Sequence, residues 1–227
     1  MLVLTLLILI VVFVPIIQHY KSKTVMNLYF SSERWSKLKL RYNNYPVHTD
    51  CALLLGDSMT ENFEKHISNP HILNFGISGD FSSGLIQRIH SVVKQQPKQI
   101  FIMIGINDLI EKVPVLTIKK NYVIVLNRLQ KECPESEIFV QSTLPTRGIN
   151  SLFSSSTNTN KKVSELNILM EMICKELNIS FIDLYPLFSD CHNLLRKDLS
   201  LDGVHLTKQG YDLWKSELQK HIKFSLD

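Results

Sequence analysis

From Cys51 onward the chain alternates short continuous apolar runs with longer segments whose apolar residues recur at helical spacing, and that alternation leaves few folds open. The candidate strands are Cys51–Leu55, His71–Phe75, Gln99–Ile104, Glu137–Ser142 and Ile179–Leu184. An uninterrupted apolar run is what a parallel strand covered on both faces requires. Between the runs, Ser82–Gln96, Val115–Glu132 and Lys161–Leu177 carry the helical period, as in Leu85, Ile86, Ile89, Val92 and Val93. Lys208–Ile222 forms a last helix with Tyr211, Leu213, Trp214 and Leu218 as its apolar positions. Strands alternating with helices pair in parallel through right-handed crossovers, with helices on both faces. The expected class is therefore α/β. The stretch Ile149–Asn160, rich in Ser, Thr and Asn, reads as an exposed loop over the edge that follows the fourth strand. It either borders the substrate or plays no part.

The chain has 227 residues, enough for one ordinary domain and a modest extra segment. A formal charge of +4 with dispersed lysines and arginines gives no concentrated basic face, so no nucleic-acid partner is expected. No metal site is expected either, because Cys51, Cys133, Cys174 and Cys191 lack close Cys-x-x-Cys spacing. Their even number permits disulfides without establishing them.

Met1–Ile17 differs in kind: it carries no charged side chain, and the first one arrives at Lys21. About 17 apolar residues is the lower end of what spans a bilayer as a helix. The run lacks the basic start and small-residue cleavage site of a secretory signal, so a retained membrane anchor is the preferred reading. Lys21 and Lys23 favour a cytoplasmic domain under the positive-inside rule, but the side stays undecided. Thr24–Pro46 then mixes Tyr29, Phe30, Trp35, Tyr42 and Tyr45 with Arg34, Lys37, Lys39 and Arg41. It reads as a short helix capped by Ser31 or Ser32, with Trp35 and Leu38 inward. A basic strip on anionic lipid is the alternative.

Four short stretches fall at or after the carboxyl ends of the elements, where α/β proteins build their sites. They are Gly56-Asp57-Ser58, Asn74-Phe75-Gly76-Ile77-Ser78-Gly79-Asp80, Gly105-Ile106-Asn107-Asp108 and Asp202-Gly203-Val204-His205. A serine hydroxyl is a weak nucleophile until an imidazole takes its proton. That imidazole needs a carboxylate to fix its tautomer, and Asp202 lies three residues before His205 across a turn-forming Asp-Gly. The tetrahedral intermediate needs donors aimed at its oxygen, which the Ser58 N–H, the Gly79 N–H and the Asn107 amide supply. Each residue also has a plain structural reading. Gly-Asp-Ser recurs in turns, Asn107 and Asp108 suit a helix cap, Gly79 suits a turn, and Asp202 suits a cap near Thr207. Their joint placement at one sheet edge is what favours a site.

These four blocks resemble those of the GDSL, or SGNH, hydrolase family, with Ser58, Gly79, Asn107 and His205 at the naming positions. The resemblance covers roughly Cys51 to the end and implies a three-layer α/β/α sandwich, flavodoxin-like, with strand order 2-1-3-4-5. It implies ester hydrolysis with no cofactor, with Ser58, His205 and Asp202 catalytic, and Ser58, Gly79 and Asn107 forming the oxyanion hole. It favours Gly79 over Gly76 for that role. The second block is similar to those of platelet-activating-factor acetylhydrolases and lysophospholipases or thioesterases. The domain plan is 1–20 as transmembrane or signal-anchor segment, 21–46 as connector and 47–227 as SGNH hydrolase domain.

The expected activity is cleavage of a small ester, of short acyl or lysophospholipid-like type, through an acyl-enzyme. Two alternatives stand beside it: an O-acyltransferase or glycan O-deacetylase on the same residues, and a membrane-tethered binding module without catalysis. Phe63, Phe81, Ile106, Leu109 and the loop after Pro145 are candidates to line the pocket. Because neutral imidazole is needed, activity is expected to fall below about pH 6 to 7, where histidine ordinarily protonates.

Overall fold

In a computed structural model of the chain, the structure describes residues 16–18, 20–148, 150–151 and 154–227. Two helices come first, α1 over residues 20–30 and α2 over Glu33–Asn43. The alternating unit follows as β1 (Ala52–Gly56), α3 (Ser58–Phe63), β2 (Ile72–Gly76), α4 (Ser82–Gln95), β3 (Gln99–Met103), α5 (Ile106–Ile110), α6 (Val115–Glu132) and β4 (Glu137–Gln141). A short ribbon, β5 (Asn150–Ser151) with β6 (Ser154–Ser155), leads into α7 (Ser156–Glu176), β7 (Ser180–Ile182), α8 (Tyr185–Phe188) and α9 (Lys208–Leu218).

The main sheet has five strands in the order β2-β1-β3-β4-β7, with every pairing parallel. Counting its strands along the chain, this is the expected order 2-1-3-4-5. Side chains alternate across a strand, so each strand feeds two cores. Leu53 and Leu55 of β1 join Ile100 and Ile102 of β3 in one core, under α2, α4, α6 and α7. Ala52 and Leu54 join Phe101 and Met103 in the other, against α3, α8 and α9. Each leucine so buried contributes about 1.5–3 kcal/mol relative to exposure, and both faces of β1 are closed to water.

Trp214 fixes the last helix to the sheet. Its indole stacks on Phe63 at 4.7 Å between ring centres, and its Nε1 donates to Gln141 Oε1 of β4 at 2.7 Å. Thr207 caps α9 by accepting from the Gly210 N–H. These contacts hold the segment just before α9 at the carboxyl ends of the strands.

Ser32 caps α2 by accepting from the Trp35 N–H at 3.3 Å, and Trp35 is buried. A second helix, α1, precedes it. The loop expected over Ile149–Asn160 is corrected at its far end, because Ser156–Asn160 already form the first turns of α7. Asn160 explains why weak helix formers are tolerated there. Its amide accepts from Thr146 N and donates to Thr146 O and Asn193 O, all inside the protein. All four cysteines are free. The membrane-anchor expectation for 1–20 falls largely outside the described residues. Among the described residues, no helix is long and apolar enough to cross a membrane.

Candidate active site

The chain leaves β1 toward β2 on one side and later reaches β3 on the other, so the sheet's switch point lies between β1 and β3. Clefts open there at the carboxyl ends of strands. Gly56 is in register with both Gly76 and Met103. Ser58, Gly79 and Asn107 therefore leave the same edge, two, three and four residues past that level.

Ser58 opens α3, where the first N–H groups of a helix have no intrahelical acceptor. Asp57 caps the helix, its Oδ1 accepting from Met59 N at 3.0 Å. Burial pushes the Asp57 carboxyl up to about 7, countered in part by that N–H and reinforced by the nearby Asp80. Asp57 thus fixes the turn from β1 into α3.

His205 reaches Ser58 from the opposite side of the chain. Its Nε2 lies 3.0 Å from Ser58 Oγ, and its Nδ1 lies 2.6 Å from Asp202 Oδ2. An ionised carboxylate only accepts, so Nδ1 carries the proton and Nε2 is free to accept from the serine. Asp202 Oδ1 also accepts from the Val204 and His205 N–H groups at 2.9 and 2.7 Å. Partial burial works against the Asp202 charge. The bonds from His205 and those N–H groups outweigh it and hold its pKa below the usual carboxylate value.

The loop that carries this pair is tied at several points. Ser200 Oγ donates to His205 O at 2.6 Å and accepts from Gly203 N, while Arg147 N donates to Gly203 O at 2.7 Å. Gly203 has a φ of +83°, and a Cβ there would run into the Arg147 carbonyl. Only glycine fits that approach.

The oxyanion candidates meet in a second loop. Asp80 N donates to Ile77 O at 3.0 Å, closing a turn whose third residue, Gly79, has a φ of +81°. A positive φ at that position is the mark of a type II turn. Asn107 Nδ2 donates to Asp80 O at 3.0 Å, which leaves its other amide hydrogen for a ligand. The N–H of Gly76 is already given to Asn74 Oδ1 at 2.9 Å, so of the two glycines Gly79 is the available donor.

Sequence reasoning missed the network beneath this turn. Arg88, fully buried, donates to Asp80 Oδ2 at 2.7 Å, Phe75 O at 2.6 Å and Gly56 O at 2.8 Å. Asp80 Oδ1 accepts from Trp35 Nε1 at 3.1 Å and from Phe81 N at 3.0 Å. Asp108 joins the third block to α4 by accepting from Ser82 N and Oγ at 2.9 and 2.7 Å. Burial pushes its carboxyl up to about 7 against those bonds. One signal was there to be read: Arg88 sits between Leu85 and Ile89 on the apolar face of its helix, where a charge needs a buried partner.

A narrow cavity of about 10 Å³ is lined by Asp57 and Met59, the chain neighbours of Ser58, and by Met103, Ile106, Leu144 and Val204 among others. Of the expected lining residues, Ile106 is there, as is Thr146 from the loop after Pro145. Phe63, Phe81 and Leu109 do not line it.

A hydroxyl, an imidazole and a carboxylate in hydrogen-bonded series at the switch point of a doubly wound sheet form the arrangement acyl transfer requires. The GDSL-like Lipase/Acylhydrolase family matches residues 54–213, and the chain belongs to that family. Among solved structures, a Streptococcus pneumonia protein described as a platelet activating factor superposes with a TM-score of 0.73 at 21% identity, covering 92% of this chain and 97% of that one. An acetyl-xylooligosaccharide esterase from Geobacillus stearmophilus gives 0.61 at 18% identity, over 78% of this chain and 96% of that one. These likenesses concern the fold. An N-acylneuraminate cytidylyltransferase from Streptococcus agalactiae is 25% identical over 214 residues, which are 92% of this chain and 47% of that protein. The chain thus spans about half the length of the curated relatives it matches.

Proposed function

We propose that the chain hydrolyses esters of short carboxylic acids with Ser58 as nucleophile, His205 as proton carrier and Asp202 as its orienting carboxylate. The continuous chain from Asp202 through His205 to Ser58 Oγ carries this reading. Ser58 Oγ attacks the ester carbonyl while its proton passes to His205 Nε2. The oxyanion accepts from the Ser58 and Gly79 N–H groups and from Asn107 Nδ2. As the intermediate collapses, His205 returns the proton to the leaving alcohol and an acyl-serine remains. Water then attacks that ester, giving its proton to His205, and the second collapse frees the acid and restores the Ser58 hydroxyl. Asp202 stays ionised throughout.

The cavity of about 10 Å³ lined by Asp57 and Met59, on either side of Ser58 in the chain, supports a short acyl group because it has room for one methyl-sized group. The same observation favours a second reading, removal of O-acetyl groups from a glycan. The names of two similar proteins, acetyl-xylooligosaccharide esterase and N-acylneuraminate cytidylyltransferase, each specify a sugar. The test is a series of p-nitrophenyl esters from acetyl to decanoyl, run beside an acetylated xylo-oligosaccharide and a lysophospholipid. The proposal expects kcat/KM to be highest for acetyl and to fall at least about tenfold by octanoyl, the size of loss that a group too large for its pocket brings. A rate that rises with chain length, or brisk lysophospholipid cleavage, refutes the short-acyl reading. Wild-type turnover by a folded Ser58→Ala variant refutes the nucleophile.

A membrane tether through Met1–Ile17 belongs to the same proposal, supported by the length of that uncharged run. Full-length protein is expected to stay with membranes through alkaline carbonate extraction; release into the supernatant refutes the tether.

A further inference from the structure

The turn that bears the Gly79 N–H is held by Tyr29 and Trp35 from outside the family-matched residues 54–213, and by Glu61 from within them with Arg34 behind it. Tyr29 of α1 donates its hydroxyl to Ser78 O at 2.9 Å. The Ser78 N–H donates to Glu61 Oε2 at 2.6 Å, and the other oxygen of Glu61 accepts from Arg34 Nη2 of α2 at 2.5 Å. One residue further on, Trp35 of α2 donates to Asp80. The Tyr29 ring sits edge-on to Phe81 with centres 5.4 Å apart, and its Cε2 lies 3.0 Å from where a Gly79 Cβ would stand.

Ser78 O and the Gly79 N–H belong to one peptide unit. A trans peptide is planar, so its carbonyl and its N–H point opposite ways. A bond that fixes the Ser78 carbonyl toward Tyr29 therefore aims the Gly79 N–H away from Tyr29. This same central peptide is the one that reverses direction between turn types I and II. Its orientation is thus a two-way choice, and the Tyr29 hydroxyl weights one side. A hydrogen bond accepted by the carbonyl also polarises the N–H at the other end of the unit and makes it a better donor.

We propose that Tyr29 is a positioning residue for ester hydrolysis, its hydroxyl holding the Ser78–Gly79 peptide with the Gly79 N–H toward the oxyanion. The inference rests on the Ser58 reading above and adds α1 to the working enzyme. Burial pushes the Tyr29 phenol well above its ordinary pKa, so the hydroxyl remains a donor across the working range. Glu61 grips the preceding N–H and is the second hold on the same turn.

The test uses full-length Tyr29→Phe, with turnover of p-nitrophenyl acetate expressed per serine labelled by a fluorophosphonate. Loss of a whole oxyanion donor costs about 10²–10³ in kcat, and a donor only loosened is expected to cost about five- to tenfold. KM should stay within about twofold, since the hydroxyl holds a group used mainly in the transition state. Ser136→Ala, which removes a hydroxyl-to-carbonyl bond to Pro97 at the far edge of the sheet, serves as control and keeps wild-type kcat. A Tyr29→Phe variant with wild-type kcat per labelled serine overturns the proposal. So does one whose loss lies wholly in the fraction of protein that labels, because that is damage to folding alone. If Tyr29→Phe does not fold, Glu61→Ala and Glu61→Gln decide by the same readout. Glu61→Gln keeps an acceptor for Ser78 N and should recover most of the kcat that Glu61→Ala loses; equal rates in the two overturn the proposal. Ser58→Ala is measured alongside. If it retains turnover, the nucleophile assignment has failed; if it is inactive while Tyr29→Phe is unimpaired, only the positioning role has.

Discussion

Replacing Arg88 with methionine removes a buried cation while keeping most of its volume, and the structure fixes what the change should cost. Arg88 and Asp80 are both inaccessible to water, and their side chains meet at 2.7 Å. Breaking a buried pair by removing one partner typically costs about 3–5 kcal/mol, because the remaining charge is stranded. Here the lower end applies. Asp80 keeps its bonds from Trp35 Nε1 and Phe81 N, and Gly56 O keeps the N–H of Ile77 at 3.1 Å. Asp80 already has a raised pKa from burial, held back chiefly by Arg88. Without Arg88 it rises further. A carboxyl raised above its unfolded pKa holds a proton in the folded state that the unfolded state has lost. Its contribution to stability is therefore lost as pH increases from the unfolded value toward the folded one. The destabilisation should thus be about 3 kcal/mol at pH 8, or roughly 6–12 °C in Tm for a chain of this size, and smaller at pH 5. Urea unfolding followed by tryptophan fluorescence at both pH values measures it. A loss below about 1 kcal/mol, or one equal at the two pH values, contradicts the claim that Arg88 compensates a buried Asp80 charge.

Three further outcomes follow from the site. Asn107→Ala removes one oxyanion donor and the bond to Asp80 O, and is expected to lower kcat about 10²–10³-fold on p-nitrophenyl acetate; a loss under tenfold contradicts its role. Gly203→Ala drives a Cβ into the Arg147 carbonyl at positive φ. It should displace the Asp202–His205 loop and lower activity far more than Tm; unchanged turnover would mean that the loop yields freely. Asp57→Asn keeps the acceptor for Met59 N while removing a carboxyl pushed up to about 7. The wild type loses stability between about pH 4 and 7 as this group ionises, so the variant should show a shallower decline there in urea midpoints and be the more stable at pH 8. An unchanged slope would contradict the burial argument.

The fold was legible because its strands are buried on both faces. Leu53-Leu54-Leu55 and Ile100-Phe101-Ile102 have no polar alternation to confuse with an edge or a loop. The end of the ribbon was not legible. Ser156–Asn160 look like solvent-facing residues, and their helical state depends on Asn160 finding Thr146 and Asn193 inside the protein. In the site, Ser58, Asp202 and His205 could be read from residue type and spacing because their chemistry is local to short blocks. The fold brings them together: 147 residues apart in sequence, Ser58 and His205 lie within hydrogen-bond distance. The support of the Gly79 turn could not be read the same way. Tyr29, Arg34 and Trp35 act through a tertiary contact between the N-terminal helices and α3 with the loop that follows β2, as in the 49-residue separation of Tyr29 and Ser78 and the bond from Arg34 to Glu61 of α3. No periodicity or motif encodes such a pairing; only Arg88, a charge on an apolar helix face, gave notice that something buried required it.

The central claim is that Ser58 is the nucleophile of an ester-cleaving site. Treating the folded full-length protein with a fluorophosphonate and mapping the adduct by mass spectrometry tests it directly. One adduct is expected, on the peptide containing Ser58, formed in step with loss of p-nitrophenyl acetate hydrolysis. Complete inactivation with the label on another residue, or no label on folded protein that still turns over ester, would contradict it.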